Sequence, residues 1–304
     1  MKVLAIIYPD SMGQANNPTV LTQQLADALL AASHGRARYA ISFATMQTAS
    51  PKLPDGKADY ATIIAQTNLV ARINAGEVAE AWLWGGPTSG YYESRMIGST
   101  AFDCNGPPII ASCPNAVLHG FNSERGLDMA LESYSHRVEA IVARRFGGWN
   151  NGYNRWPYTG QAGDPSPQPQ NLNAWDAFTR FDAQMLGTGG HGNAHTAPNA
   201  PAGPWPTNPW GYFTQTPGSW GQGTEAFLRW WLTEMPLDWW DDILLGHADV
   251  ALATVTFDWG QVGAYRIEVS LDNGPYVLWS SGGGPATAPW IQAGHTYHFR
   301  MMLL

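Results

Sequence analysis

Six consecutive apolar residues, Val3–Tyr8, open the chain, and a segment of helical periodicity follows them at once. A continuous apolar run of this length marks a strand covered on both faces, which an antiparallel surface sheet does not need. The pattern recurs through the first 146 residues. Thr19–Ala32 carries Val20, Leu21, Leu25, Ala28 and Leu29 at helical spacing, and Arg38–Ala44 reads as a second strand. Tyr60–Ile73 reads as one helix stopped by Gly76, Ala81–Trp84 as a third strand, and Pro108–Ala111 and Ala116–Gly120 as short apolar runs. Asn122 or Ser123 is placed to cap a long helix reaching Arg145. Strands alternating with helices predict an α/β fold with a mostly parallel sheet flanked by helices. Ligands in such sheets bind beyond the carboxyl ends of the strands. The loops after Tyr8, Trp84 and Gly120 are therefore expected around one crevice.

The chain has 304 residues, enough for a full core and for two domains. The expected division is an α/β domain over 1–246, loop-rich across 147–240, and a small β-sandwich over 247–304 that stops directly after a strand. The middle region is rich in Gly, Pro, Asn and Trp, and loops this long are usually functional or disordered. Short helices are expected at Asn173–Met185 and Thr224–Glu234. From about Ala248 the pattern turns to strands, at Ala251–Phe257, Ala264–Ser270, Tyr276–Ser280 and Thr296–Met301, with an Asp272-Asn-Gly274 turn.

Composition limits the partners. Charged residues are 13% of the chain and the net charge is −8, with no cluster of Lys and Arg, which argues against nucleic acid. No apolar stretch is long enough for a membrane span. The low charge content and the Gly, Pro, Asn, Thr and Trp that replace it suit an extracytoplasmic or secreted protein. The sequence itself carries no signal peptide, because the first apolar run ends at Pro9-Asp10 without a small-residue cleavage site. Cys104 and Cys113 either form a local disulfide or are two buried thiols; their spacing is not that of a metal site.

Histidine is the commonest metal ligand and titrates near neutral pH. Two histidines, His191 and His195, lie in the glycine-rich segment Gly187-Thr-Gly-Gly-His-Gly-Asn-Ala-His195. On the helix after Asn122, a core stripe of Leu127, Leu131, Tyr134, Val138 and Ile141 is accompanied by a second stripe, Asp128, Glu132, His136 and Glu139. His136 and Glu139 at i, i+3 can share one cation. Taken alone, the stripe reads first as a solvated acidic face with one histidine. The predicted metal set is His136, Glu139, His191 and His195, which requires the loop to fold back over the helix. Zinc would favour the histidines, and calcium the Asp, Asn and backbone oxygens. Glu93 or Glu124 is a candidate general base, and Arg95 a candidate to hold a developing oxyanion. Each of these can also pin a loop through a Glu–Arg pair. Arg180 and Asp182 form a further charged pair before the histidine loop. Among fifteen tryptophans, Trp205, Trp210 and Trp220 are candidates for a cleft wall and most others for core. No Walker loop, GxGxxG, GxSxG or HExxH is present.

The runs Gly85-Gly86-Pro87, Gly90-Tyr-Tyr-Glu-Ser-Arg-Met96, Gly120-Phe-Asn-Ser-Glu-Arg-Gly126, His136-Arg-Val-Glu139, Phe178-Thr-Arg-Phe-Asp182 and Gly192-Asn-Ala-His195…Pro198-Asn199 resemble a family of largely uncharacterised bacterial extracytoplasmic proteins. Members of that family often carry C-terminal β-sandwich modules, and the tail Ala288–Arg300 is similar to fibronectin-like modules. The resemblance implies a compartment and a set of residues but no reaction. Where the family tends to have cysteine, this chain has His191, which keeps a ligand-capable side chain and removes a disulfide role. The reading that results is a secreted hydrolase using a divalent metal, calcium or zinc, on a small-molecule or glycan ester, lactone or glycosidic bond. The alternatives are a non-catalytic glycan-binding or structural surface protein and, with least support, a flavin protein. The oligomeric state is not legible.

Overall fold

The computed structural model describes residues 1–146, 174–179, 190–195, 197–198 and 218–245, and strands between 252 and 303. A six-stranded sheet organises the first part. Its strands are β1 (Lys2–Ile7), β2 (Ala40–Thr45), β3 (Glu80–Gly85), β4 (Ser94–Gly98), β5 (Ile109–Ile110) and β6 (Ala116–Asn122), in the order β2-β1-β3-β6-β4-β5. The pairings β1–β2, β1–β3, β3–β6 and β4–β5 are parallel, and β4–β6 is antiparallel. The fold is α/β with a mostly parallel sheet. Strand β4 falls where the sequence reads as a loop, because Ser94 and Arg95 interrupt the apolar pattern of an otherwise buried strand.

Side chains alternate between two cores. Val3 and Ile7 of β1 and Trp82 and Trp84 of β3 face one core, whereas Leu4, Ile6 and Leu83 face the other. The first core is closed by helices α1 (Pro18–Ala32), α4 (Leu127–Arg145), α5 (Ala174–Phe178), α6 (Thr224–Thr233) and α7 (Leu237–Leu245). The second is closed by α2 (Tyr60–Gln66) and α3 (Leu69–Asn74). The single helix expected over Tyr60–Ile73 is two, because Asn68 adopts φ 49°, a left-handed conformation that ends one helix and starts another. Helix α4 starts later than the sequence suggests, after Gly126. Asn122 ends β6, and the buried Ser123 hydroxyl donates to the carbonyl of Ser11 at 2.6 Å rather than capping the helix.

The predicted core stripe of α4 is buried throughout, at Leu127, Leu131, Tyr134, Val138 and Ile141. Its orientation is fixed by a buried ion pair between Arg137 and Glu80, both fully enclosed. The same guanidinium donates to the Ile243 carbonyl at 2.7 Å, and Trp82 Nε1 donates to the other Glu80 oxygen at 3.0 Å. One residue thus ties α4 to the sheet and to α7.

The loops after β1, β3 and β6 meet at the carboxyl edge of the sheet. Asp10 accepts from the amide of Ser50 at 3.0 Å, the amide of Gly86 at 3.1 Å and the Ser89 hydroxyl at 3.0 Å. Partial burial works to raise the Asp10 pKa, but these donors outweigh it and hold the carboxyl below its ordinary value. Asn16 donates to the carbonyls of Ser123 and Arg125, joining the β1 and β6 loops. Cys104 and Cys113 are buried and not joined by a disulfide, and burial pushes the Cys104 thiol up to about 11.

In the C-terminal part, β7 (Leu252–Phe257) pairs with β10 (Ala286–Gln292), and β8 (Tyr265–Leu271) pairs with both β9 (Val277–Gly282) and β11 (Tyr297–Leu303), all antiparallel. Strand β10 is additional to those read from the sequence, where Pro289 and the flanking alanines hide it. The Asp272-Asn-Gly274 turn lies outside the described residues, as do Arg180, Asp182, Trp205 and Trp210.

Two outcomes follow. Arg137→Ala leaves Glu80 charged and unpaired in the core and is expected to lower stability by about 3–5 kcal/mol, measured by urea unfolding. A carboxyl with a depressed folded-state pKa contributes stability above its unfolded pKa and loses it as the pH falls through the folded value. The stability difference between wild type and Asp10→Asn is therefore expected to be present at neutral pH and to close below about pH 3; a constant difference across that range would refute the assignment.

Candidate metal centre

The second stripe of α4 is not solvated. Glu132 is 1% exposed and His136 is 8% exposed. Glu132, His136 and Glu139 share a helix face by their spacing of four and three residues, and the loop holding His195 lies across that face. The loop is shaped by Gly192, at φ 77°, where a side chain would be strained. It is held by Trp231 Nε1 of α6, which donates to the Gly192 carbonyl at 3.0 Å, and by Asn193, whose side-chain oxygen accepts from the His195 amide at 2.9 Å.

Three donor atoms converge. The Nε2 atoms of His136 and His195 are 2.9 Å apart, and Oε1 of Glu132 lies 3.8 Å from the first and 3.7 Å from the second. Donors bound to one ion in a tetrahedral site with bonds of about 2.0–2.1 Å lie roughly 3.3 Å from one another. The observed separations bracket that distance. Among the described residues, neither oxygen of Glu132 has a hydrogen-bond partner, although both are buried. A buried carboxylate that accepts no hydrogen bond and has only imidazole nitrogens at 3.7–3.8 Å is costly, and a bound cation is one of the few groups that would offset it. This Glu132–His136–His195 cluster can hold a metal ion.

Glu93 approaches from the sheet. Its Oε2 is 3.1 Å from His136 Nε2. It reaches that place because Gly120 carries no side chain: a Cβ there would lie 2.3 Å from the Tyr91 Cβ and 2.5 Å from the Tyr92 carbonyl. The segment 91–93 therefore passes over the end of β6, fixed by the Gly120 amide donating to the Glu93 carbonyl at 3.1 Å. Burial works to raise the Glu93 pKa, but hydrogen bonding to His136 and the charges of His136 and His195 lower it, so the carboxylate is ionised. His136 has the reverse balance. Burial disfavours its charged form, and the carboxylates of Glu132, Glu139 and Glu93 overcome this and hold its pKa well above the ordinary range.

Glu139 is not a member of the three-residue group. Its Oε2 is 3.0 Å from Nδ1 of His136, on the far side of the ring from Nε2, and its Oε1 accepts from the Ala194 amide at 2.9 Å. One carboxylate thus orients the imidazole on α4 and anchors the loop that carries His195, the role of an outer partner to a ligating histidine.

The remaining sequence candidates lie elsewhere. His191 stacks on Phe178 with ring centroids 4.4 Å apart, and its Nε2 faces Glu234 at 3.6 Å. It belongs to the aromatic packing around α6 and is outside the metal-ligand group, because Gly192 turns the chain between the two histidines. Arg95 donates from Nε to the Pro107 carbonyl at 2.6 Å and covers the rings of Tyr60 and Tyr92, so it holds a loop. Glu124 faces its neighbour Arg125 at 3.8 Å. Trp220 packs against Phe227 and Trp230. Glu132 is the ligand-type residue that sequence reasoning placed on the stripe but left out of the metal set; its i, i+4 spacing to His136 was the available signal.

A cavity of about 370 Å³ is lined by Glu93, which reaches His136 of the cluster; Glu132, His136 and His195 themselves do not line it. Trp84, Tyr92 and Phe121 form its aromatic wall, and Asn105 and Arg125 are among its polar residues. The chain matches no protein-family model, no curated protein and no solved structure. The geometry is therefore the ground for a functional reading. Among the described residues, no helix is long and apolar enough to cross a membrane.

Glu139→Gln replaces one acceptor oxygen with an amide donor, so it cannot serve both His136 and Ala194. It is expected to weaken binding of added zinc about 10–100-fold while the fold is retained, read by competition with a chromophoric chelator and by circular dichroism.

Proposed function

We propose that the protein is a metal-dependent hydrolase of small-molecule esters or lactones. Glu132, His136 and His195 would hold the ion. The observation that carries the reading is their convergence around a buried carboxylate that accepts no hydrogen bond among the described residues, next to Glu93, which lines a cavity and reaches His136. Two imidazole nitrogens in the donor set favour zinc or another transition ion over calcium. When bound, such an ion polarises a carbonyl and lowers the pKa of water.

The chain's own residues supply the rest. Glu139 keeps the His136 ring oriented with Nε2 toward the cluster. Glu93 borders both cluster and cavity and is placed to accept a proton during attack on a substrate lying there. The aromatic wall limits water around the reacting bond. A cavity of about 370 Å³ suits a small molecule better than a polymeric glycan. The low charge content and the motif resemblance support an extracytoplasmic setting and membership of the bacterial family described above, and the antiparallel strand pairs after residue 252 support a C-terminal β-sandwich.

Metal analysis of the purified protein, with an ester and lactone panel run before and after chelation, tests the proposal. The expected result is about one transition ion per chain, hydrolysis lost on chelation and restored by zinc, and loss of both metal and activity in Glu132→Ala, His136→Ala and His195→Ala. Absence of bound metal together with indifference to the chelator would falsify it.

A further inference from the structure

We propose that strand β2 is a dimerisation edge, on which a second copy of this chain pairs antiparallel about a twofold axis at Phe43. Strand β2 ends the sheet, and among the described residues no strand lies on its outer side. The amides of Ala40 and Met46 donate to the carbonyls of Met1 and Ile7, at 2.7 and 2.8 Å, and so bracket the β1–β2 ladder. By the strand period of two, Ser42 and Ala44 also address β1. Ile41, Phe43 and Thr45 therefore point their backbone N–H and C=O groups away from the sheet. An outward row of this kind is a template for another strand.

The two edges of the sheet are built differently. Strand β5 is two residues long and follows Pro107-Pro108, features that prevent edge pairing. Strand β2 has six residues, Ala-Ile-Ser-Phe-Ala-Thr, in unbroken register with β1, and it carries no bulge, proline or charge. Phe43 stands on it 47% exposed. No charged residue occurs between Arg38 and Lys52.

These features select a copy of the chain as the occupant. Near a twofold axis each charge is brought close to its own counterpart, and like charges directly opposite are destabilising. A chain of net charge −8 meets itself best on an uncharged segment. A partner recognised by charge would find nothing there to read. The pairing must also keep side chains of one face opposite each other. With Phe43 facing its counterpart, Ile41 and Thr45 face one another across the axis. All three outward residues then form hydrogen-bonded pairs, and the two phenyl rings meet on one face. In the same register Arg38 falls opposite Thr48 and meets no like charge.

Sedimentation velocity over a concentration series up to about 100 µM is expected to show a monomer–dimer equilibrium, weak because one strand edge is smaller than a standard interface. Phe43→Pro removes an outward amide and leaves the β1–β2 ladder intact. Phe43→Lys sets two like charges at the axis. Each is expected to weaken the dimer at least about ten-fold, with an unchanged circular dichroism spectrum. Cysteine trapping reads the register, since the native cysteines are buried. Paired Cα atoms lie about 5.5 Å apart, within disulfide reach, so Phe43→Cys is expected to cross-link under mild oxidation. Thr45→Cys, roughly 14 Å from its counterpart, is expected to cross-link only when mixed with Ile41→Cys. A chain that stays monomeric throughout the series, a dimer undiminished in both Phe43 variants, no cross-link from Phe43→Cys, or one from Thr45→Cys alone would overturn the proposal. None of these readouts involves metal or substrate, so the outcome is independent of the hydrolase reading.

Discussion

A carboxylate withdrawn from water must be paired, hydrogen-bonded or neutralised, and Glu132 is withdrawn from water without a hydrogen bond to either oxygen. Most of the site follows from that constraint. The residue cannot be turned outward, because it shares a helix with Arg137, and Arg137 is locked to Glu80 in the core. The neighbouring positive charge is His136, which Glu139 orients from behind and Glu93 approaches from the sheet. The loop with His195 then closes over the group and brings a second imidazole to it.

The two buried charge systems on α4 have different characters. Around Arg137, Nη1 finds an acceptor in Glu80 and Nη2 in the Ile243 carbonyl, and the pair sets the rotation of the helix. Around His136 there is an excess of negative groups: three carboxylates face one imidazole, with a second imidazole beside it. A balanced buried pair fits a structural role. An unbalanced one beside a cavity fits a site that takes up a cation, and the cost of assembling it is a reason to look for function there.

Placement of the cavity follows from sheet topology. The carboxyl ends of β1, β3 and β6 lie side by side because these strands are parallel neighbours, so their loops must meet. Asp10 and Ser123 stitch the loops together, and Gly120 lets the segment leading to Glu93 cross above β6. The antiparallel strand β4 then carries the chain away from the site immediately after Glu93. Arg95, two residues on, is consequently turned to Pro107 and away from the cavity, whereas Arg125, arriving from the opposite loop, lines it.

The sequence by itself determined the parallel sheet, its first helix and the core stripe of α4, because continuous apolar runs and helical spacing are local signals of burial. It also marked His136 and His195 as ligand-type residues on a helix and a glycine-rich loop. It did not separate Glu132 from Glu139, since both share a helix face with His136 at allowed spacing. Only the folded chain shows that one carboxylate points at the cluster and the other at the back of the ring and the Ala194 amide. Nor could spacing separate His191 from His195, because the turn at Gly192 sends one to Phe178 and Glu234 and the other to His136. The role of a polar side chain is set by what faces it across tens of residues of intervening chain, and that pairing exists only in the tertiary structure.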